Sequence, residues 1–257
     1  MLKRRNLANP EKELELLEHL GEFRTRLIRV IAYVAIGMAL TWSFYHPLYE
    51  LVMAPALGVI ERMGGEFLMT TFISGFTLRL QVSLIGGLVL SAPFWTIEFW
   101  MFIAPGLTKD ERKALYFIAP FSVFLFALGV SICYLGLPRA LEWFASMVPP
   151  GAELKPDVQR TLVFVVQMYL AFGIVFEMPI ALMFLAKIGL VNSRMMIHLW
   201  KEAVVGMAAM AAIITPSGDA FTLMLMATPM CFLYFGSIGL VRWIEKKESA
   251  SHSTSSI

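Results

Sequence analysis

Charged side chains are scarce in this sequence. Asp, Glu, Lys and Arg make up 16% of its 257 residues, whereas a typical soluble domain carries about 25%. Hydrophobic residues reach 58%, and the mean hydropathy is +0.70. This balance excludes an ordinary soluble domain and predicts a protein that crosses a membrane several times. The net charge of +2 is too small to indicate a nucleic acid as partner.

Cysteine and histidine are also rare, with two and four residues. Cys133 and Cys231 lie inside apolar runs, which is typical of small packing residues rather than of a disulfide framework. No pair of Cys or His has the spacing of a metal site, and the sequence contains neither a GxxxxGKS-type phosphate loop nor an HExxH motif. Ser91 and Ser131 lack a convincing general base. We therefore predict that the protein is not an enzyme and has no metal or cofactor.

Long apolar runs account for most of the chain, and we expect an all-α membrane protein with six transmembrane helices. The predicted spans are 28–45, 76–102, 114–137, 161–186, 203–216 and 222–241. The apolar part of the fifth, 203–214, is shorter than the roughly 17 residues a span usually needs, and we also allow for a short sixth span. We expect the fifth to cross where the bilayer is thin, or through a non-helical stretch at Pro216 and Gly218. One six-span domain, 1–245, would precede a polar tail, 246–257.

Basic residues are distributed unevenly between the two sides of these spans. If all six segments cross, sixteen of the 21 lysines and arginines fall on the side of the two termini. An excess of positive charge marks the cytoplasmic side, so both termini are predicted to lie in the cytoplasm. If the fifth segment did not cross, the basic stretch from Arg242 to Lys247 would lie outside, against the same rule.

A charged, amphipathic segment, HLGEFRTRLIR at 19–29, leads directly into the first span; we call it the foot. Its apolar side chains fall on one helical stripe, and its charged side chains spread over the remaining surface, which predicts a helix at a membrane surface. Glu22 and the neighbouring arginines could bind a charged partner. Two alternatives stay open: Arg26 and Arg29 only fix the orientation, or Glu22 and the later acid Glu111 pair with Arg24 or Arg112 on the same surface.

One acid, Glu177, lies deep inside an apolar segment, AFGIVFEMPI at 171–180. It precedes Lys187 by ten residues, or about 15 Å along a helix, which predicts a position near the bilayer midplane. An ionised carboxylate there costs at least about 2.5 kcal/mol, so we expect it to be protonated, hydrogen-bonded or facing a polar cavity. Docking of another membrane helix, proton transfer, and satisfaction by its own neighbours are three open hypotheses for this acid.

Three motifs occur in a fixed order on this hydropathy profile: HLGEFRTRL in the foot, FIAPGLTKDER at 102–112, and FEMP at 176–179. With them the sequence resembles the TatC family, the multispanning receptor subunit of the twin-arginine protein translocase. The resemblance extends from about Leu14 to Val241.

This resemblance implies a receptor in the plasma (inner) membrane of a prokaryote. Such a receptor binds the paired arginines of signal peptides on folded cargo at the cytoplasmic face. It also implies single-span partner subunits of the TatA/TatB type, an oligomer in the lipid bilayer, and export driven by the proton gradient. The alternative function is a proton-coupled small-solute transporter with Glu177 as its proton carrier.

The family's functional positions can be matched to residues of this chain. Those implied in signal-peptide binding are Glu22, Glu111, Arg24, Phe102 and Pro105. The acid associated with partner docking matches Glu177, the outer-loop proline matches Pro55, and the acid after the fifth span matches Asp219. Independently of the family, a receptor for two adjacent arginines needs two carboxylates on one surface, because each guanidinium can donate two parallel hydrogen bonds to a carboxylate.

The sequence also departs from the family pattern. After the first outer loop the family commonly has Pro-x-Glu-x-Phe followed by a lysine; Phe76 is retained here, but Phe72, Ser74 and Gln81 stand at the other positions. This departure argues against a role for charge at the outer mouth. Glu98 is an additional acid near the cytoplasmic end of the second span, and the sequence assigns it no role.

Overall fold

The computed structural model describes residues 10–103, 109–149, 151–215 and 219–254, with side chains described for 18–102, 120–149, 151–215 and 219–246. These residues are almost entirely α-helical, as predicted. In chain order the helices are α1 (Pro10–Ser43), α2 (Tyr45–Arg62), α3 (Ser74–Leu90), α4 (Ala92–Ile103), α5 (Lys109–Ser146), α6 (Val158–Val175), α7 (Met178–Lys187), α8 (Ser193–His198), α9 (Trp200–Ile214) and α10 (Ala220–Thr254).

Several of these helices are long and apolar enough to cross a membrane. Four helical stretches of the described ranges meet this criterion: Glu18–Ser43, Pro120–Ser146, Val158–Lys187 and Ala220–Lys246. Helices α3 and α4, bent by 54° relative to each other, meet it together and make a fifth. Helix α9 has 15 residues, below the usual minimum of about 17. The described chain therefore contains four or five clear spans.

The second predicted span is broken rather than continuous. Helix α3 ends at Leu90 and α4 begins at Ala92, because in a continuous helix Pro93 would have no N–H to donate to the carbonyl of Val89 and its ring would clash with that carbonyl. The carbonyl of Leu88, which a continuous helix would satisfy, accepts hydrogen bonds from the Trp95 indole at 3.0 Å and from the Ser91 hydroxyl at 3.2 Å. The bend redirects α4 towards the N-terminal half of α1.

The fourth predicted span contains a turn at Phe176 and Glu177, although Val158–Lys187 remains one helical stretch. Helix α6 ends at Val175 and α7 starts at Met178 with Pro179 in its first turn, a position that proline favours. Glu177 therefore lies at a junction between two helices and not within a regular helix.

Two helices continue beyond the predicted ends of their spans. Helix α5 continues through Pro138 to Ser146, where a loop from residue 138 was expected. Helix α10 continues to Thr254, so the first part of the predicted polar tail is helical. The segment between the first and second predicted spans contains one helix of 18 residues, α2.

Helix α6 lies at the centre of the bundle. Its buried face includes Leu162, Val165, Met168 and Phe172, each at most 2% exposed, and it packs against α2, α3 and α5. At its N-terminus α6 is capped by Asp157, whose carboxylate accepts hydrogen bonds from the backbone N–H of Arg160 and from the Thr70 hydroxyl. These bonds, the Arg160 N–H foremost, hold the pKa of Asp157 below its ordinary value.

Helices α1 and α3 approach each other through glycine. A Cβ added to Gly87 would lie 2.5 Å from the backbone nitrogen of Met38 and 2.9 Å from the carbonyl oxygen of Val34. A Cβ on Gly37 would lie 2.7 Å from the carbonyl oxygen of Gly87. Neither helix can accept a larger residue here without moving its backbone, so this contact fixes the position of α1 and of the foot that it carries.

Gly87→Ala is expected to destabilise the protein by about 1–3 kcal/mol, because the added methyl meets backbone atoms that cannot rotate away. Gly75→Ala is the matched control on the same helix, since a Cβ there has no neighbour within 4 Å. Thermal unfolding in detergent measures both variants. If Gly87→Ala unfolded at or above the wild-type temperature while Gly75→Ala was also unchanged, the close approach of α1 and α3 would be wrong.

Candidate functional site

The foot lies against the end of α4 through aromatic contacts. His19 stacks on Phe102 with ring centroids 4.4 Å apart and an interplanar angle of 17°. Phe23 meets the same ring edge-on at 5.4 Å. The family-matched aromatic residue Phe102 and the foot thus belong to one surface.

A cluster of four charged side chains lies beside these rings. The Nε and Nη2 atoms of Arg26 both donate to Oε1 of Glu22, at 3.0 and 2.5 Å. Nη1 of Arg26 donates to Oε2 of Glu98 at 2.8 Å, and Nη1 of Arg29 lies 3.4 Å from Oε1 of Glu98. We call Glu22, Arg26, Arg29 and Glu98 the foot cluster. It contains two carboxylates and two guanidinium groups, so its formal charge is zero.

Burial distinguishes the members of the foot cluster. The side chains of Arg26 and Glu98 are 16% and 11% exposed, whereas that of Glu22 is 28% exposed and that of Arg29 is 55% exposed. The second oxygen of Glu22, Oε2, is not used by Arg26 and lies 4.0 Å from Nδ1 of His19. Glu22 is therefore the more accessible of the two carboxylates.

The structure changes the pairing considered for Glu22. Its partner is Arg26 and not the alternative considered, Arg24, which lies two residues further on, on a different face of the helix, and is exposed. The spacing of four residues between Glu22 and Arg26 could have predicted their pair. No local signal connects Arg26 to Glu98, which lies 72 residues away in the chain.

Two of the predicted signal-binding positions fall outside the described part. Pro105 belongs to the undescribed residues 104–108, and the side chain of Glu111 is likewise outside the described set. The backbone of Glu111 belongs to the first turn of α5.

Glu177 lies where α4, α5 and the α6–α7 junction meet. The Trp100 indole donates to the Ser122 hydroxyl at 3.1 Å, and that hydroxyl donates to Oε2 of Glu177. Trp100 and Ser122 are both buried. The other carboxyl oxygen, Oε1, is buried without a hydrogen-bond partner among the described residues, and so is the hydroxyl oxygen of Thr96. The described neighbours of Glu177 thus supply a hydrogen bond to only one of its two carboxyl oxygens. Sequence reasoning missed both Trp100 and Ser122.

Glu177 and Thr96 line a groove of about 640 Å³ on the side of the bundle. Its walls come from α4, α6, α7, α9 and α10 and are mostly apolar; they include Phe99, Met178 and Met210. An apolar groove with a half-satisfied carboxyl group and a hydroxyl group suits an apolar helix that carries one polar side chain.

Two further matched positions have structural contacts. Pro55 is buried inside α2. Asp219 precedes α10, and its Oδ1 accepts a hydrogen bond from the backbone N–H of Thr222 at 2.8 Å, which is the contact of a helix N-cap.

Apolar spans, a charge cluster at one end of the bundle and one acid in an apolar groove together define a multispanning α-helical membrane protein with polar recognition sites. Within the described residues, no group of three or more His, Cys, Asp or Glu could hold a metal ion.

Comparisons with known proteins narrow this class. The family model for TatC, described as Sec-independent protein translocase protein, matches residues 18–229. The Sec-independent protein translocase protein TatC of Xylanimonas cellulosilytica is 34% identical over 238 residues, which cover 92% of this chain and 86% of that protein. The TatC protein of Deinococcus radiodurans is 35% identical over 223 residues, 85% of this chain and 82% of that protein. A crystal structure titled as the twin arginine translocase receptor TatC superposes with a TM-score of 0.75 at 32% identity, covering 88% of this chain and 98% of that one.

The chain belongs to the TatC family of Sec-independent protein translocase proteins. The resemblance seen in the sequence is thus confirmed. The family assigns the chain to protein translocation in a membrane, and not to the enzymes.

Proposed function

We propose that this receptor of the twin-arginine translocase binds the paired arginines of signal peptides at its foot, on the cytoplasmic face. The observation that carries the proposal is the state of Glu22: its carboxylate is partly exposed, and Oε2 is not engaged by Arg26. A guanidinium approaching from solvent can donate to that oxygen. The rings of His19 and Phe102 form the adjacent wall of the site.

The second arginine of the pair would bind Glu111. Helix α4 ends at Ile103 and α5 begins at Lys109, so Glu111 follows Phe102 by nine residues in the sequence, and we infer that it lies near the foot. We infer that Pro105 shapes this short connection, that Phe102 positions the foot against it, and that Arg24 contributes to the same cytoplasmic surface. Two carboxylates near each other can select a pair of arginines in a way that one carboxylate cannot.

The hydrogen bonds between the two acids and the two arginines are too weak to account for signal binding by themselves. A hydrogen bond to a charged group contributes roughly 1.5–3 kcal/mol net, so two pairs give about 3–6 kcal/mol. Micromolar affinity needs about 8 kcal/mol. The apolar segment of the signal peptide must supply the remainder by packing along the helices, and the acids act mainly as a specificity gate.

Glu177 is proposed as the docking point for a single-span partner subunit. A polar side chain on the partner helix would bond the unpartnered Oε1, with the Thr96 hydroxyl as a second contact, while the rest of that helix fills the groove. The apolar walls of the groove fit a helix better than they fit a hydrophilic solute. Together with the family, they favour protein translocation over the small-solute transporter considered from the sequence.

The uneven distribution of basic residues and the family support the remaining features of the proposal. Six segments cross the inner membrane of a prokaryote as one domain, 1–245, and both termini lie in the cytoplasm. Helix α9, short as it is, would be the fifth span. Pro55 and Asp219 would hold the outer surface in shape, and several copies would assemble with their partner subunits for export driven by the proton gradient.

A signal peptide whose two arginines are changed to lysine is expected to bind the purified protein at least about tenfold more weakly than the twin-arginine peptide. Lysine keeps the charge but cannot donate two parallel bonds to a carboxylate, and a factor of ten corresponds to about 1.4 kcal/mol. Calorimetric titration of the protein in detergent with both peptides measures the ratio. Equal affinities of the two peptides would refute the proposal that the acids select arginine.

A further inference from the structure

Arg26 occupies, within the chain itself, the carboxylate that a signal arginine would need. Two of its nitrogens converge on Oε1 of Glu22, and its third holds Oε2 of Glu98. The protein thus carries a guanidinium group of its own on the proposed arginine site. A signal arginine has to share Glu22 with this internal ligand or displace it.

We propose that Glu98 is a positioning residue that takes over Arg26 when a signal arginine binds Glu22. The inference rests on the proposed function of Glu22. In the structure as it stands Arg26 is divided between two carboxylates; in the signal-bound state it pairs with Glu98 alone, and Glu22 becomes the acceptor for the incoming arginine.

The geometry of Glu98 suits this role. One of its oxygens, Oε2, already holds Arg26 at 2.8 Å, and the other, Oε1, has only the long contact of 3.4 Å with the exposed Arg29. A small rotation of the Arg26 side chain can therefore bring a second of its nitrogens to Glu98 and form the parallel pair that guanidinium and carboxylate prefer.

Burial explains why the two acids have different roles. Glu98 is the least exposed member of the foot cluster, and it lies on α4 behind Arg26; Glu22 is more exposed. An arginine arriving from solvent reaches Glu22 first. Arg26, largely buried, cannot be left without an acceptor, because an unpaired charge at a desolvated site is costly. Glu98 removes that cost at the moment of exchange.

Calorimetric titration of a twin-arginine signal peptide with four purified proteins tests the exchange: wild type, Glu98→Gln, Arg26→Gln and the double variant. In Glu98→Gln, Glu22 is the only one of the two carboxylates left to hold Arg26. A signal arginine must then displace Arg26 from Glu22 with no carboxylate of Glu98 to receive it. We therefore expect signal binding to weaken about tenfold, which corresponds to the free energy of one charge-assisted hydrogen bond. Removing the internal competitor as well should restore affinity in the double variant to within about threefold of wild type. Arg26→Gln alone should bind at least as tightly as wild type.

Other roles of Glu98 give different results. If Glu98 bound the signal arginine directly, or only held the foot on α4, the double variant would remain as weak as Glu98→Gln, and the exchange would be overturned. Glu98→Asp, which keeps the carboxylate, should bind nearly as wild type. Glu18→Gln removes an exposed carboxylate one turn before Glu22 and is the matched control; its binding should stay within about twofold of wild type.

Thermal unfolding of each variant accompanies the titrations. If Glu98→Gln is folded but binds weakly, and the double variant recovers the wild-type affinity, the result supports the exchange. A second substitution would not recover affinity that misfolding had removed. A wild-type protein that does not prefer the twin-arginine peptide over the twin-lysine peptide would overturn the proposed function and this inference with it. A wild type that does prefer it, combined with no rescue, would overturn the exchange alone.

Discussion

Glu177→Ala is expected to reduce export of a twin-arginine cargo at least about tenfold, while binding of the isolated signal peptide to the purified receptor stays within about threefold of wild type. The substitution removes the carboxyl group that we propose as the docking point for a partner helix, and it leaves the Ser122 hydroxyl without its acceptor. An interhelical hydrogen bond in a membrane is worth roughly 1–2 kcal/mol, enough for a tenfold loss of occupancy. Cargo export in cells and co-purification of the single-span subunits measure the effect.

Glu177→Gln distinguishes docking from proton transfer. An amide still donates and accepts hydrogen bonds but cannot carry a proton, so a docking role predicts that Glu177→Gln keeps most of the co-purification that Glu177→Ala loses. Thr96→Val removes the other buried unpartnered oxygen of the groove and should give a smaller loss. Full export by Glu177→Ala would contradict the docking role, and equal loss in the alanine and glutamine variants would favour the proton carrier.

Glu22→Ala is expected to weaken binding of a twin-arginine signal peptide by about tenfold to a hundredfold, which corresponds to one hydrogen bond to a charged group. The peptide loses its acceptor at the foot, and Arg26 keeps Glu98 as a partner, so the foot should stay folded. Glu18→Ala is the control, because it makes the same change at an exposed position on the same helix. Titration of the signal peptide measures both variants. If Glu22→Ala bound the signal peptide as tightly as wild type, the foot would serve only to orient the protein in the membrane.

Much of the fold could be predicted from apolar runs, because the bilayer requires helices of a certain length. The break in the second predicted span and the turn in the fourth were missed, although Pro93 stands at the break and Pro179 follows the turn. Proline in a membrane helix is often tolerated, so the sequence could not tell a kink from a new helix start. The structure resolves this through the contacts of Trp95 and Ser91 with the carbonyl of Leu88.

The site was predictable only in part. The foot motif identified Glu22, and the apolar context of Glu177 identified the buried acid, because a charge in an apolar segment is conspicuous. The contacts that complete the two clusters were not predictable: Glu98, which accepts from Arg26, and Ser122, which donates to Glu177, come from distant parts of the chain, and nothing in the sequence links them to these sites. A sequence indicates which residues are costly to bury, whereas only the fold shows which groups offset that cost.

The central claim is that two acids form one site for two arginines, and a double-mutant cycle tests it most directly. The measurement is the affinity of a twin-arginine signal peptide for the wild type, Glu22→Ala, Glu111→Ala and the double variant. We predict that each single change weakens binding at least about tenfold and that the double variant binds little worse than either, because the arginine pair engages both acids or neither. Unchanged affinity in all three variants would contradict the claim.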